Sequence, residues 1–169
     1  MTSPSSSDAP FQTLLAAARA ALAAAPQEAL GEMRTPRRML GMARASRIIR
    51  VGQAWHLGVL LIGADAVYAT GDIVRARAEA PRGFTAESQR ARAELAAAAR
   101  RGGFAEGEAV HVGWRMLHPD ALAEGEASGP LALREGVPSV RWSASGGWMP
   151  LRSYLDERIA LLLEPPTGA

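Results

Sequence analysis

Four side chains of this sequence are the first candidates for chemistry: His56, His111, Arg115 and Arg141. Each of the two histidines is followed, two residues later, by a glycine, Gly58 or Gly113. Residues two apart lie on the same face of a β-strand, so a glycine there leaves room for a ligand above the imidazole. Arginine guanidinium groups hydrogen-bond carboxylates and phosphates through two parallel bonds. The four residues therefore predict a binding surface for a small anion or an acidic protein partner.

Two other functional interpretations stay open. In the first, the chain is an amidase-type hydrolase whose general base, His56 or His111, reaches a Ser, Asp, Glu or water inside a concave pocket. In the second, the stretch from Arg34 to Arg50, which holds six arginines and no acid, binds nucleic acid or an acidic partner. That stretch has no aromatic residue, which makes nucleic acid the less favoured ligand. The same side chains are also typical of the solvated face of an antiparallel sheet.

The composition excludes several catalytic mechanisms. The chain has no cysteine, and all nineteen of its basic residues are arginine because lysine is absent. A thiol nucleophile, a disulfide, a P-loop lysine, a Schiff-base lysine and a Ser-x-x-Lys pair are therefore impossible. The three histidines lack the spacing found in zinc enzymes, so we expect no metal site and no cofactor. No catalytic residue is assigned, and the chain is interpreted as a binding module rather than an enzyme.

The strands that must position these residues follow from the hydrophobic pattern. Large apolar residues alternate with small or polar ones from Ile49 to Leu61, which predicts a long strand. Gly63-Ala64-Asp65 is typical of a tight turn, after which a second strand returns to Arg77 with a bulge at Gly71-Asp72. A third strand is predicted from 108 to 117. A short hairpin from 131 to 143 turns at Glu135-Gly136, and Pro138 places one of its strands at a sheet edge.

Helices are predicted in five places: 10–25, 26–34, a short turn within 37–46, 85–101 and 150–164. In the first helix, apolar residues recur at helical spacing from Phe11 to Leu22. The helix from 85 to 101 has Thr85 as its N-cap and an inner face made mostly of alanine. Three tryptophans fall on the apolar phase of their strands and are expected in the core: Trp55, Trp114 and Trp142.

Together these elements predict an α+β fold, with a mainly antiparallel sheet of about five strands and helices packed on one face. Residues 1–9 are expected to form a disordered tail and 10–165 a single domain. No apolar run approaches the roughly 20 residues of a membrane span, and the first residues lack the pattern of a signal peptide. A cytoplasmic protein is therefore expected; the oligomeric state does not follow from the sequence.

Four segments carry a resemblance to known proteins: RTPRRMLG, VGQAWHLGVLL, YATGDIVRARAE and GFTAESQRARAEL. Together they resemble a group of small, uncharacterised actinobacterial proteins, and the resemblance covers most of the chain from about residue 10. Some members of that group are labelled glutaminase. The serine-dependent glutaminases need a Ser-x-x-Lys pair and the other class needs a cysteine, neither of which this chain has. The resemblance therefore implies no site residues.

Overall fold

The computed structural model describes residues 8–35, 45–78, 86–122, 124–143 and 145–165. Within them it has the helices α1 (Asp8–Leu22), α2 (Glu87–Arg101) and α3 (Leu151–Leu163), and a short 3-10 helix (Pro119–Ala121). The strands are β1 (Glu28–Arg34), β2 (Arg47–Leu57), β3 (Leu60–Ile62), β4 (Val67–Ala69), β5 (Asp72–Arg75), β6 (Ala109–Val112), β7 (Arg115–Met116), β8 (Ala127–Ser128), β9 (Leu131–Arg134), β10 (Val137–Arg141) and β11 (Trp148–Pro150). Residues 1–7 of the predicted tail and most of the predicted turn within 37–46 lie outside the described residues, whereas Asp8 and Ala9 belong to α1.

The predicted α+β class is confirmed, but the prediction of about five strands in the sheet is wrong. A larger sheet has seven strands in the order β5-β6-β1-β2-β3-β4-β7, and a smaller one has the order β11-β10-β9-β8. Strand β1 pairs with β6 in parallel, whereas the pairs β2–β3, β3–β4, β4–β7, β5–β6 and those of the smaller sheet are antiparallel. The count rises because three predicted strands are each divided in two, as β2 and β3, β4 and β5, and β6 and β7, and because the segment of β1 was predicted as a helix.

The chain folds into two compact units. Unit 1 comprises residues 1–27, 54–70 and 115–169, and unit 2 comprises residues 28–53 and 71–114. Each unit has its own apolar core. The chain passes from one unit to the other four times, once within β2. The expected single domain from residue 10 to 165 stays a prediction.

In unit 1, helices α1 and α3 pack on each other and on β10. The predicted inner face of α1 is confirmed, since Phe11, Leu15 and Leu22 are buried in the core. The apolar stripe of α3 is likewise buried through Leu151, Tyr154 and Leu155. These two helices supply the apolar surface on which the strands of unit 1 close.

In unit 2, helix α2 packs on β5. Its buried residues are Ala97, Ala98 and Ala99, as the sequence predicts. Small side chains let the helix approach the strands closely, and Phe104 fills the core beyond its end. The predicted N-cap, Thr85, lies outside the described residues, and the residue at the N-cap position is Ala86.

The predicted long hairpin is in fact two consecutive hairpins. Strand β2 ends at Leu57, which pairs with Leu60 of β3 across a two-residue turn at Gly58-Val59. Gly58 has a φ of +61°, a conformation that glycine adopts without steric cost. The second turn lies between β3 and β4, at the predicted Gly63-Ala64-Asp65. The return strand then ends at Ala69, and β5 starts at Asp72 in unit 2.

The segment predicted as a helix over 26–34 is the strand β1, so that prediction is wrong. Ladder pairing with β6 explains the difference, because Ala29 and Leu30 are in register with Val110 and His111. Gly31 fits a crowded strand, where a Cβ would lie 2.5 Å from Ile48 Cγ2. Tertiary pairing here overrides the helical spacing of Leu30 and Met33.

Three predictions about individual residues are also corrected. Pro138 is not on an edge strand, because β10 pairs with both β9 and β11. The pairing with β11 stops at Ser139, so Pro138 itself has a partner only on the side of β9. Trp142 is 49% exposed because β10 ends at Arg141. The predicted third strand breaks at Gly113, whose φ is +68°, and becomes β6 and β7.

No described helix has the length and apolar character needed to cross a membrane.

Candidate anion-binding site

Two of the four candidate residues, Arg115 and Arg141, line one cleft of unit 1. We call it the Arg115–Arg141 cleft. Its volume is about 280 Å³, and its lining consists of Val59, Ala69, Thr70, Arg115, Pro130, Arg141 and Ser143. Among these lining residues the only charged groups are the two guanidiniums, and the polar groups beside them are the hydroxyls of Thr70 and Ser143.

Strand pairing and backbone hydrogen bonds position the lining residues. Arg115 of β7 is in register with Ala69 of β4, so Arg115 lies beside Thr70, the residue that follows Ala69. The Thr70 N–H donates to Val59 O at 3.2 Å, next to the Leu60–Ala69 pair, and so extends the pairing of β3 with β4 in the second hairpin. On the opposite side, the Arg141 N–H donates to Pro130 O at 2.8 Å. The cleft is therefore built on strand ends that are fixed by ladder bonds, not on a single loop.

The two arginine side chains are held differently. Arg141 Nε donates to Gly146 O at 3.3 Å, which ties this guanidinium to the loop after β10. Arg115 passes beside Gly129, where a Cβ would lie 3.8 Å from Arg115 Nη2 and only 2.7 Å from Leu117 Cδ2. Since Gly129 also has a φ of +57°, a larger residue at this position would strain the backbone and crowd Leu117 beneath the arginine.

Tyr154 of α3 supports the hairpin that supplies Val59. Its hydroxyl donates to Leu57 O at 2.8 Å and accepts the Val59 N–H at 2.8 Å. Burial raises the pKa of this hydroxyl, which keeps it protonated and able to donate. The Arg158 guanidinium lies 5.4 Å from the ring centroid. Tyr154 thus connects the core of unit 1 to one wall of the cleft.

The structure does not place the two candidate histidines in this cleft. His56 is partly buried in unit 1, with Nε2 at 2.9 Å from Gly58 O. His111 belongs to unit 2, has 0% exposure and bonds through Nε2 to Glu28 Oε2. The prediction that His111 lies on an open sheet face is wrong, because β6 is paired on both sides and its residues from Val110 to Val112 are all buried.

This placement bears on the hydrolase interpretation. His111 has a carboxylate partner in Glu28, as a general base requires, but its side chain is fully buried and a substrate cannot reach it. His56 Nε2 lies 2.9 Å from a backbone carbonyl of unit 1, Gly58 O. The interpretation of the chain as a hydrolase with His56 or His111 as general base stays a prediction.

The described part of the basic stretch from Arg34 to Arg50 is partly neutralised within unit 2. Arg34 Nη2 pairs with Glu32 at 3.1 Å, and Arg50 pairs with Glu108. The Arg50 guanidinium also lies 4.8 Å from the Phe104 ring centroid. Arg37, Arg38 and Arg44 lie outside the described residues. Nucleic-acid or acidic-partner binding by this stretch stays a prediction.

The Arg50–Glu108 pair makes the stability of unit 2 depend on pH. The hydrogen bond from Arg50 and the one from the Ala105 N–H, at 2.9 Å, hold the pKa of Glu108 below its ordinary value of 4.5. A carboxyl whose pKa is lower in the folded state stabilises the fold above the unfolded-state pKa, and this stabilisation is lost as the pH falls through the folded-state pKa. We expect Glu108→Gln to lower the free energy of unfolding by about 0.5–1 kcal/mol at neutral pH. The deficit should shrink as the pH falls through 4.5 and below.

Urea unfolding of the wild type and of Glu108→Gln at a series of pH values measures this deficit. Glu157→Gln is the matched control, because it removes an exposed carboxyl that forms no ion pair with any described residue. A deficit that stays constant from pH 7 to below pH 4 would mean that the carboxylate charge is not responsible.

Comparisons of the chain with protein-family models, with curated proteins and with solved structures give no match. The resemblance to the actinobacterial group stays an expectation. The class that the fold and the cleft define is an α+β protein with a candidate anion-binding site. A more specific assignment has to come from the chemistry of that site.

Proposed function

We propose that this protein is a binding module that takes a small anion, a phosphate or a carboxylate, into the Arg115–Arg141 cleft. The observation that carries the proposal is the meeting of two guanidiniums with two hydroxyls. Arg115 comes from the larger sheet and Arg141 from the smaller one, yet both line the same cavity beside Thr70 and Ser143. Oxyanions are bound by such sets of charged and neutral donors.

The donor set supports an anion rather than another polar ligand. A guanidinium can only donate hydrogen bonds. The positive charges of the two guanidiniums in one cleft repel each other, and an anion between them offsets this repulsion. Both arginines are exposed, so water and salt screen this repulsion and the expected affinity is moderate. The hydroxyls of Thr70 and Ser143 can rotate to donate to the same oxyanion.

The size of the cleft separates a small ligand from a protein partner. A volume of about 280 Å³ lies just below the roughly 300–1,000 Å³ usual for small-molecule sites, as suits a small ligand. A stable protein interface instead covers about 800 Å² on each partner. The geometry therefore favours a small phosphate or carboxylate over an acidic protein.

Titration of inorganic phosphate, citrate and acetate into ¹⁵N-labelled protein at constant ionic strength tests the proposal. We expect saturable shifts of the Thr70, Arg141 and Ser143 amides for at least one of these anions. A charge-assisted hydrogen bond contributes about 1.5–3 kcal/mol. Because every 1.4 kcal/mol is a factor of ten in affinity, Arg115→Ala with Arg141→Ala should weaken binding by about 100-fold or more.

The matched control is the double variant Arg47→Ala with Arg90→Ala, which removes the same charge from exposed positions outside the cleft. It should bind the anion as the wild type does, after correction for the change in net charge. Equal weakening in both double variants would assign the effect to general electrostatics and overturn the proposed site. Unchanged binding by the Arg115/Arg141 variant would overturn it as well.

A further inference from the structure

A second cleft, in unit 2, has a different composition. It lies between α2, from Gln89 to Ala96, and the end of β5 with the extended segment that follows it, and its volume is about 320 Å³. Three arginines line it together with one amide and an alanine surface: Arg75, Arg77, Arg92, Gln89, Ala93 and Ala96. None of these residues belongs to the Arg115–Arg141 cleft, so any ligand found here is a separate one.

Regular spacing brings the lining residues together. Arg75 and Arg77 are two apart in an extended segment and so point to the same side. Gln89, Arg92 and Ala96 are spaced three and four apart on α2, which places them on one face of the helix. The Arg77 N–H donates to Ala96 O at 3.2 Å and fixes the extended segment on the helix.

The charge of this cleft is not balanced by the described part of unit 2. The described ion pairs of this unit employ Arg34, Arg50, Arg100 and Arg101, together with the imidazole of His111. Arg75 Nη1 donates instead to a backbone carbonyl, Gly107 O, at 3.2 Å. Among the described residues that line the cleft there is no carboxylate. Three like charges around one concave surface raise the potential there and attract an anion.

The floor of the cleft adds a second requirement. Ala93, Ala96 and Ala78 present methyl groups, and the aliphatic stems of the arginines extend the apolar surface. A fully hydrated inorganic ion would leave this apolar surface exposed to water. Guanidinium planes also stack favourably on aromatic rings. The ligand that satisfies both the charges and the floor is an aromatic ring that carries an anionic group.

We infer that the cleft of unit 2 is a binding site for an aromatic carboxylate. The carboxylate is bound by Arg77 and Arg92, the side-chain amide of Gln89 donates an additional hydrogen bond to it, and the ring lies on the alanine floor. The site differs in ligand class from the Arg115–Arg141 cleft, which pairs guanidiniums with hydroxyls. Its presence or absence therefore does not depend on the function proposed for unit 1.

The experiment uses 2-naphthoate as the probe on the full ¹⁵N-labelled chain. We expect saturable shifts of the Gln89, Ala93 and Ala96 amides. Acetate, which lacks the ring, and 2-naphthalenemethanol, which lacks the charge, should each bind at least tenfold more weakly. Shifts confined to other parts of the chain, or equal binding of the neutral alcohol, would overturn the inference.

Two variants locate the site. Arg77→Ala with Arg92→Ala should weaken 2-naphthoate binding at least 30-fold, whereas Arg90→Ala removes a charge from the same helix outside the cleft and should leave it within twofold. The single variant Arg92→Ala changes only an exposed side chain, so it remains a test if the double variant does not fold. Binding unchanged in Arg92→Ala and in the double variant would exclude this cleft. The Arg115/Arg141 double variant should retain 2-naphthoate binding, which separates failure here from failure of the proposed function.

Discussion

Replacing Gly102 by alanine should lower the free energy of unfolding by about 3 kcal/mol or more. Gly102 caps α2, and its N–H donates to Ala98 O at 3.0 Å. A Cβ at this position would lie 1.5 Å from Ile48 O, a separation that no rotamer change can relieve because the obstacle is backbone. The end of α2 must move away from β2, and the packing of Ala98, Ala99 and Phe104 in the core of unit 2 would be lost with it.

Urea unfolding of Gly102→Ala beside Gly147→Ala measures this effect. Gly147 is the control because a Cβ there meets no atom within 4 Å and its φ lies outside the left-handed region. The control should change the unfolding free energy by less than about 0.5 kcal/mol. A Gly102→Ala variant within about 1 kcal/mol of the wild type would show that α2 does not approach β2 as closely as the structure places it.

The second large effect is expected for Tyr154→Phe, which should cost about 2–4 kcal/mol. Removing the hydroxyl leaves Leu57 O and the Val59 N–H without their partner, and an unsatisfied buried group costs about 1–3 kcal/mol. The ring and its burial are kept, so the loss comes from these two hydrogen bonds. The expected change is concentrated at the turn between β2 and β3, which supplies Val59 to the Arg115–Arg141 cleft.

Amide hydrogen exchange gives the local readout for Tyr154→Phe. The Val59 amide should exchange faster in the variant. The exchange rates of the Ala98 and Ala99 amides in α2 should change only as far as the global free energy of unfolding changes. Equal protection of Val59 in wild type and variant would contradict the proposed role of the hydroxyl. A raised tyrosine pKa also means that the stability contributed by Tyr154 is present below the unfolded-state pKa of about 10 and is lost as the pH rises through the folded-state pKa.

Hydrophobic periodicity correctly predicted the helices that bury a continuous stripe of apolar side chains. The inner faces of α1 and α3 and the alanine face of α2 follow directly from spacing, because a helix must bury its apolar side on something. The turn at Glu135-Gly136 was predicted from its place between two apolar runs, and both residues adopt the positive φ of a tight hairpin turn.

Other features depend on contacts between distant segments. The pattern of Leu30 and Met33 is compatible with a helix, and only the pairing of β1 with β6 decides that the segment is a strand. His111 alternates with valines and so was expected on an open face, but a strand with neighbours on both sides can be buried on both faces. Arg115 and Arg141 were identified as candidates, although the cleft that joins them requires two sheets rather than one.

Thr70 and Ser143 were missed as members of the candidate site. Thr70 lies in the predicted return strand and Ser143 ends the predicted short hairpin, but a hydroxyl residue beside a glycine or at a strand end is common near turns and does not by itself indicate a site. Their place beside the arginines depends on two backbone hydrogen bonds, from Thr70 to Val59 O and from Arg141 to Pro130 O. A local sequence pattern contains no information about such contacts.

The four passages of the chain between the units have a consequence for protein engineering. Unit 2 consists of two separate stretches, 28–53 and 71–114, and unit 1 of three. No single cut can therefore release either unit as a continuous polypeptide, and neither can be moved into another protein as one cassette. During synthesis, the ribosome delivers all of unit 2 before residues 115–169 of unit 1 exist, so α1 can pack on its partner α3 only after residues 151–163 have emerged.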